Sequence, residues 1–176
     1  MLQFKPAVHY TAANRFQRLA RTLVANAALA RLLALTAHRT DGMVLRLSRG
    51  RHTLSSLVTG LPVILLEVTG ARSGQKRVTP LIGVPVGDAV IVVASNWGQR
   101  HHPAWYYNLR AQGAATITMK GERRSVRARE PVGDELESCW VRAIELFPGW
   151  DHYRRSAHRE VPLIVLDAEP GRRLAE

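Results

Sequence analysis

LLEVTGARSGQKRVTPLIGV at Leu65–Val84, AVIVVASNWG at Ala89–Gly98 and HHPAWYYNLR at His101–Arg110 are the three stretches that decide the fold of this chain. The first places a buried strand before a turn rich in glycine, serine and arginine. The second is an apolar strand with polar residues at its end, and the third opens a helix with proline near its start. In this order, the stretches predict a small β domain whose loops and helix start suit a flat, anionic ligand.

Short strands joined by tight turns account for most of the chain after residue 60. Gly87-Asp88 and Gly121 each separate two strand-like runs, which predicts hairpins at Val84–Ala94 and Thr116–Arg129. This pattern favours a mainly β, α+β fold, an antiparallel barrel with peripheral helices, over a doubly wound parallel sheet. We predict further strands at Pro62–Val68 and Val161–Leu166, and helices at Pro103–Leu109, at Gly133–Phe147 with Asp134 as N-cap, and at Trp150–Arg159.

Length and cysteine content set the domain organisation and the class of site. A chain of 176 residues is long enough for one domain with a sizeable core, and we divide it into an N-terminal helical extension, 1–50, and a barrel domain, 51–176. The single cysteine, Cys139, lies in an amphipathic run and is expected to be a buried helical thiol, which fits a reducing compartment. No Cys and His spacing typical of a metal site occurs, so we predict no metal.

The formal net charge of +11 indicates an acidic partner. Nucleic acid, anionic lipid and a small polyanionic ligand all satisfy this charge. The chain lacks the sequence signatures of a helix-turn-helix, a zinc finger or an aromatic RNA-binding sheet, so we expect no specific nucleic-acid binding.

The N-terminal region predicts a basic amphipathic helix from Asn14 to Ala37, with Arg15, Arg18 and Arg21 near its start. Asn26 and other polar residues interrupt the apolar run, which excludes a membrane-spanning segment. Such a helix can lie in a membrane interface or pack against the core of its own domain. We therefore expect a cytoplasmic protein, with peripheral contact to the inner face of the cell membrane as one alternative.

The turn Gly70–Arg77 is the first candidate binding element. Its glycines permit close approach to exposed backbone amides, and Arg72 and Arg77 can pair with phosphate or carboxylate oxygens. A basic hairpin loop is, however, most often only solvated. The chain has no Walker A motif and no GxGxxG motif, which argues against an NTPase or a Rossmann enzyme.

The other candidate elements are SNWG at Ser95–Gly98 and the helix start after Pro103. Polar residues at a strand end commonly meet ligands, although an ordinary turn is the plain alternative. The aromatic residues of the helix start can form a core or line a cofactor site. The adjacent His101 and His102 lack the i, i+4 spacing of a helical metal site and are expected to be surface or hydrogen-bonded loop residues.

Taken together, the motifs are more specific. GxRSG followed by arginine and proline, then SxxG, then HPxWYxNLR resembles the deazaflavin-dependent nitroreductase family of actinobacteria, which uses coenzyme F420. The resemblance runs from about Leu54 to the end and includes the closing FPGWDHYRRSAHREVPLIVL. It implies a split β-barrel, often a homodimer, that transfers a hydride from the reduced deazaflavin to a small-molecule acceptor such as a quinone, an activated alkene or a nitro compound.

The resemblance also implies roles for individual residues. Tyr153 would position the acceptor or donate a proton to the product. The predicted cofactor-binding residues are, for the phosphate and polyglutamate tail, Arg72, Ser73, Gly74, Arg77, Val78 and Thr79; for the ring system, Ser95, Asn96 and Trp97; and from the helix start, Ala104, Trp105 and Asn108.

The chain departs from the family pattern at several positions. Nitroimidazole-reducing members carry tyrosines at the positions of Ile82, Phe147 and Trp150, so we expect a less polar pocket and an apolar acceptor. Relatives often have a second basic residue at the position of Ala71, and some have lysine at that of Asn96, which bears on cofactor affinity. An FMN-dependent oxidoreductase, or a non-catalytic carrier of a lipid, fatty acid or cofactor on the same barrel, are the alternatives.

Overall fold

A computed structural model describes residues 60–173 of the chain, with side chains described as far as residue 169. The extension 1–50 and the helix predicted at residues 14–37 lie outside the described residues, so both stay predictions. Within the described part, no helix has the length and apolar character needed to cross a membrane.

The described residues form a closed antiparallel barrel with the strand order β1-β2-β3-β6-β5-β4, which confirms the predicted fold class. Each of the predicted hairpins is present, with its turn at Gly87-Asp88 or at Lys120-Gly121. The strands are β1 (Val63–Thr69), β2 (Lys76–Val86), β3 (Ala89–Val93), β4 (Ala114–Met119), β5 (Glu122–Arg129) and β6 (Leu163–Arg173). The helices are α1 (Ala104–Gln112), α2 (Asp134–Leu146) and α3 (Gly149–Ser156).

One hydrophobic core fills the interior of the barrel. It takes buried side chains from strands around the whole barrel, for example Ile64 of β1, Ile117 of β4 and Ile164 of β6. Helix α1 closes this interior with Trp105, Tyr106 and Leu109, each less than 9% exposed. The helix start that was predicted to contact a cofactor therefore packs against one end of the barrel interior.

A second core lies outside the barrel, between the outer face of β3 and β6 and the helices α2 and α3. Side chains alternate along β3, so that Val90 and Val92 point into the barrel while Ile91 and Val93 point into this outer core. Burial on both faces explains why β3 is a continuous apolar run in the sequence. Cys139 of α2 is buried in the outer core as a free thiol, as expected, and burial raises its pKa.

Three details of the sequence prediction were wrong. The helix predicted at Trp150–Arg159 ends at Ser156. Asp134 is the first residue of α2 and not its N-cap; Gly133 is in that position, with φ 57°, and no side chain caps the helix. Asp134, Glu135 and Glu137 still place negative charge in the first turn, where it interacts favourably with the helix dipole. The last strand begins at Leu163 and continues well past Leu166, because β5 pairs with it beyond the apolar run.

Arg129 of β5 fastens α2 to the barrel. Its Nη1 and Nη2 donate to the Glu135 carboxylate at 2.6 and 2.7 Å, and its Nε donates to Asp167 Oδ2 at 2.7 Å. The hydrogen bonds from Arg129 favour the charged form of Glu135, so the pKa of Glu135 lies below its ordinary value.

We expect Glu135→Gln to lower the free energy of unfolding by about 1 kcal/mol near neutral pH, a small value because the pair is partly exposed. A carboxylate with a lowered pKa stabilises the fold above the ordinary glutamate range, and this contribution is lost as pH falls through the lowered pKa. The difference between Glu135→Gln and wild type should therefore disappear in acid. Urea unfolding at several pH values measures this, with Glu137→Gln on the same helix as control; an equal loss for both variants would contradict the role of Arg129.

Candidate functional site

The loop between β1 and β2 is a tight turn that has glycine at both Gly70 and Gly74. The Gly70 N–H donates to Gln75 O and the Gly74 N–H donates to Gly70 O, both at 2.8 Å. A Cβ on Gly70 would lie 2.6 Å from Ser73 Oγ, and Gly74 has a φ of 64°. The loop therefore leaves its backbone and the side chains of Arg72 and Ser73 at the surface.

Two arginines of this region are available to an external anion. Arg72 and Arg77 are exposed, and neither forms an ion pair with any residue from 60 to 169. The nearby carboxylate of Glu67 is occupied by Lys76, at 3.1 Å, and by Arg123, at 2.9 Å. The basic loop is thus not neutralised by its own neighbours.

Asn108 of α1 joins the loop to the helix start. The Ala71 N–H donates to Asn108 Oδ1 at 3.0 Å, across 37 positions of sequence. Ala71 stands where relatives often carry a basic side chain, and in this chain it contributes a backbone contact. Two of the three predicted binding elements lie side by side because of this bond.

The third element, at the end of β3, is a left-handed turn. Asn96, Trp97 and Gly98 have φ values of 46°, 58° and 73°. The Gly98 N–H donates to Ser95 O at 2.9 Å and the Gln99 N–H donates to Asn96 O at 3.0 Å. Left-handed backbone costs a residue with a side chain about 1–2 kcal/mol, so the surroundings must hold Asn96 and Trp97 in place.

Several contacts hold this turn against α3 and the following loop. Asn96 Nδ2 donates to His101 O at 3.0 Å. Gly98 lies so close to α3 that a Cβ would be 2.8 Å from Ser156 Oγ. The Trp97 ring lies edge-on to Tyr153, with ring centroids 6.4 Å apart.

Arg159, in the segment between α3 and β6, also reaches this turn. Sequence reasoning missed it, because the helix predicted at Trp150–Arg159 included it, and a basic residue at a helix end is typical of solvated surface. The helix ends at Ser156 instead, so Arg159 lies in the following segment. Its partner His102 must accept through Nδ1, since a guanidinium only donates, and this places the ring proton on Nε2. The Arg159 guanidinium makes five hydrogen bonds. Its Nε donates to Gln99 O at 2.9 Å. Its Nη1 contacts His102 Nδ1 at 2.9 Å and donates to Glu160 O at 2.8 Å, and its Nη2 donates to Ala94 O and Ser95 O, both at 3.1 Å.

Two of the three aromatic residues of α1, Trp105 and Tyr106, belong to the barrel core, whereas Tyr107 is exposed. Trp105 is 7% exposed and Tyr106 is 4% exposed, and the Tyr106 hydroxyl donates to Glu130 Oε1 at 2.9 Å. Ala104 is exposed at the start of the helix. The predicted contact of Trp105 with a cofactor therefore stays a prediction, beside its packing role.

Tyr153 lies in the outer core beneath Trp97. It is 2% exposed and packs against Phe147, with ring centroids 6.3 Å apart. Burial raises the pKa of Tyr153 to about 12, so its hydroxyl is protonated at neutral pH. Its role toward a substrate stays a prediction.

The positions at which the chain departs from the nitroimidazole-reducing pattern meet in the same outer core. Phe147 and Trp150 are buried with ring centroids 5.6 Å apart, and Ile82 packs against this cluster. The region next to Trp97 is therefore apolar and aromatic.

The other predicted residues lie in the same elements. Val78 is 57% exposed on β2, and Thr79 is half-buried opposite Leu66 of β1. Ser95 is 8% exposed at the end of β3. In the described part of the chain, no cluster of three or more His, Cys, Asp or Glu residues is placed to hold a metal ion.

Comparison with known proteins gives sequence relatives of one kind. A family model described as F420H(2)-dependent quinone reductase matches residues 37–168. A Mycobacterium tuberculosis protein provisionally named for that activity is 35% identical over 106 residues, which cover 60% of this chain and 89% of that protein. Another M. tuberculosis protein, named F420H(2)-dependent quinone reductase, is 32% identical over 108 residues, covering 60% of this chain and 72% of its own.

Solved structures give the same likeness. A structure described as an F420-H2 dependent reductase is 33% identical, has a TM-score of 0.57, and is matched over 60% of this chain and 94% of its own. A second structure, described as a domain-swapped dimer, is 28% identical with a TM-score of 0.59 over 78% of this chain and 95% of its own.

We expect Asn108→Ala to free the β1–β2 loop from α1 while leaving the barrel folded, because the Ala71 N–H loses its acceptor but water can replace it at this exposed site. Cleavage by trypsin after Arg72, followed by mass spectrometry, should become several-fold faster, since local opening governs such cleavage. Gln112→Ala, at the exposed end of the same helix, is the control. If both variants are cleaved at the wild-type rate, the bond to Asn108 does not hold the loop.

Proposed function

The chain belongs to the F420H(2)-dependent quinone reductase family, and we propose that it transfers a hydride from reduced coenzyme F420 to a quinone or a similarly apolar acceptor. The observation that carries this proposal is the contact between two of the three predicted elements. The β1–β2 loop with Arg72 is bonded to α1 through Asn108, and Arg77 lies at the start of β2. Neither arginine forms an ion pair with another described residue, and the short segment 99–103 joins α1 to the left-handed turn that follows β3.

The residues present fit an elongated anion. Arg72 and Arg77 lack ion pairs with other described residues and can bind the phosphate and carboxylate groups of the coenzyme tail. The tight geometry at Gly70 and Gly74 exposes backbone between them, and the net charge of +11 favours an anion at longer range. These features support binding of the tail at the β1–β2 loop.

The ring end of the proposed site is the turn at Ser95, Asn96 and Trp97. The bound coenzyme supplies the hydride, so the protein has to orient the reactants and exclude water rather than perform acid–base chemistry. Ser95, a polar side chain with 8% exposure, and the half-buried Trp97 are suited to these tasks. The same features would also suit FMN, so FMN is the alternative cofactor, and titration with both compounds distinguishes it from F420.

An apolar acceptor follows from the outer core. Ile82, Phe147 and Trp150 give the neighbourhood of Trp97 an aromatic and aliphatic character, which favours a quinone over a polar nitroimidazole. Tyr153 is the proposed proton donor or positioning group, because its ring lies next to Trp97 in this apolar surrounding, with ring centroids 6.4 Å apart.

We also propose a homodimer and a cytoplasmic location. A relative whose structure is described as a domain-swapped dimer supports the first. The proposed cytoplasmic location rests on the single cysteine, Cys139, which fits a reducing compartment. Contact with the membrane would involve the helix predicted at residues 14–37, which lies outside the described residues.

Titration of the purified protein with oxidised F420 and with FMN tests the cofactor. We expect F420 to bind, and Arg72→Ala and Arg77→Ala each to weaken its binding about tenfold at low salt, as loss of a charge-assisted hydrogen bond does. This loss should shrink as salt is added, because screening weakens exposed ionic contacts. Arg155→Ala, which removes an exposed arginine paired with Asp151, is the matched control. Absence of F420 binding, or tighter binding of FMN, would contradict the proposal.

Tyr153→Phe tests the acceptor side. Because phenylalanine keeps the ring in the outer core, we expect F420 affinity to be retained while kcat for quinone reduction falls by about 100-fold, the lower range for loss of a general acid. Steady-state kinetics with a soluble quinone measures this. An unchanged kcat would remove Tyr153 from the chemistry and leave it a packing role.

A further inference from the structure

We propose that Arg159 is a positioning residue that holds the turn Asn96–Gly98 in its left-handed, coenzyme-binding conformation, and that it does so fully only while His102 is neutral. The importance of this turn for binding rests on the proposed function. The structural part of the inference, that Arg159 holds the turn, stands on the geometry alone.

Every N–H of the Arg159 guanidinium has an acceptor, and all of these acceptors are uncharged. Four are backbone carbonyls and the fifth is the imidazole of His102. An arginine with five donors all in use is fixed in orientation, and hydrogen bonds from a charged donor are stronger than those between neutral groups. No carboxylate among the described residues forms an ion pair with Arg159, so its charge is directed at the carbonyls of the turn.

The bonds of Arg159 span the turn. Ala94 O and Ser95 O precede the left-handed residues and Gln99 O follows them, so one side chain joins both ends. Trp97 has a bulky side chain that disfavours its positive φ, whereas asparagine, as at Asn96, tolerates this region better, so the conformation of Trp97 calls for a restraint from its surroundings. Arg159 supplies that restraint from outside the turn, 60 positions away from Gln99 in sequence.

His102 makes this restraint sensitive to pH. It can accept from Arg159 only through an unprotonated Nδ1, so protonation would turn the acceptor into a donor facing a donor. Arg159 and Arg110 face His102 and oppose its charged form, whereas Glu130 and Glu160 favour it. Tyr106 and Tyr107 complete its surroundings, with ring centroids at 4.8 and 5.7 Å.

The balance of these groups keeps His102 neutral at pH 7. Burial is the first cause that lowers the pKa of His102 below 6.5, followed by the charges of Arg159 and Arg110. A histidine with a lowered pKa is neutral above that range and becomes charged as pH falls through the lowered value. The contact to Arg159 is therefore complete at neutral pH and is lost in acid.

Backbone hydrogen exchange of the cofactor-free protein tests the structural part. In Arg159→Met we expect the amides of Gly98 and Gln99, which close the turn, to exchange at least about tenfold faster than in wild type. The Ala94 N–H, which donates to Pro162 O between β3 and the segment before β6, should keep its protection. Arg155→Met, an arginine of α3 paired with Asp151, should exchange as wild type. Unchanged exchange at Gly98 and Gln99 would overturn the proposal.

Coenzyme affinity tests the functional part. Arg159→Met should bind oxidised F420 about ten- to a hundredfold more weakly, the range for losing a hydrogen-bonding partner of a charged group. Arg159→Lys keeps the charge with fewer donors and should recover part of this loss. If Arg159→Met does not fold, Arg159→Lys should still exchange faster at Gly98 and Gln99, and wild-type exchange in this variant would overturn the proposal.

The pH dependence provides a readout that a merely structural residue would not change. In wild type, F420 affinity should fall as the pH is lowered through the pKa of His102, which lies below its ordinary value of 6.5. In His102→Gln the side-chain amide oxygen can accept from Arg159 and does not titrate, so this step should be absent. A step of the same size in His102→Gln would overturn the role of His102.

The two proposals fail separately. If wild type binds no F420 but Arg159→Met exchanges faster at the turn, the proposed function is wrong and the restraint by Arg159 stands. If wild type binds F420 and Arg159→Met matches it in both exchange and affinity, the proposed function stands and the role of Arg159 is wrong.

Discussion

The pairing of β3 with β6 is the contact on which the arrangement of the site depends. It closes the barrel between strands about 70 positions apart, with Val93 opposite Leu163 and the Ala94 N–H donating to Pro162 O at 2.9 Å. The segment that leads into β6 is thereby placed beside the end of β3. Arg159 reaches the turn at Asn96–Gly98 for this reason, and α3 packs against it from the same side. Because both strands are buried on both faces, the two hydrophobic cores fix this position from inside and outside the barrel.

The chain divides its charges between structure and binding. Glu67 forms ion pairs with both Lys76 and Arg123, and Arg129 joins Glu135 to Asp167, so these basic side chains serve the fold. Arg72 and Arg77 have no such partner among the described residues. Arg159 is a third case. Four backbone carbonyls and His102 accept its hydrogen bonds, but no carboxylate among the described residues forms an ion pair with it. The basic groups best placed for an anionic coenzyme are therefore those that the protein does not use to neutralise its own acids.

The features that the sequence predicted correctly are those that depend on neighbouring residues, such as turns and strands. Glycine turns at Gly87-Asp88 and Gly121 predicted both hairpins, and the apolar run from Ala89 to Ala94 predicted the strand β3. The motif order also predicted that the β1–β2 loop and α1 contribute to one site. The bond from Ala71 to Asn108 brings these two elements together, and ligand binding there stays a prediction. Wrong or missed features depend on distant contacts. The length of β6 is set by pairing with β5, and the partners of Arg159 at the turn lie 57 to 65 positions away, most of them backbone carbonyls that no sequence motif encodes.

The central claim is that the loop, the left-handed turn and the start of α1 bind one molecule of F420. A crystal structure of the chain with oxidised F420 tests it most directly. The account predicts density for the phosphate and tail against Arg72 and Arg77, and for the deazaflavin ring beside Ser95–Trp97, with the five hydrogen bonds of Arg159 retained. Density for the coenzyme on another face of the barrel, with the two arginines and the turn in contact with solvent alone, would contradict it.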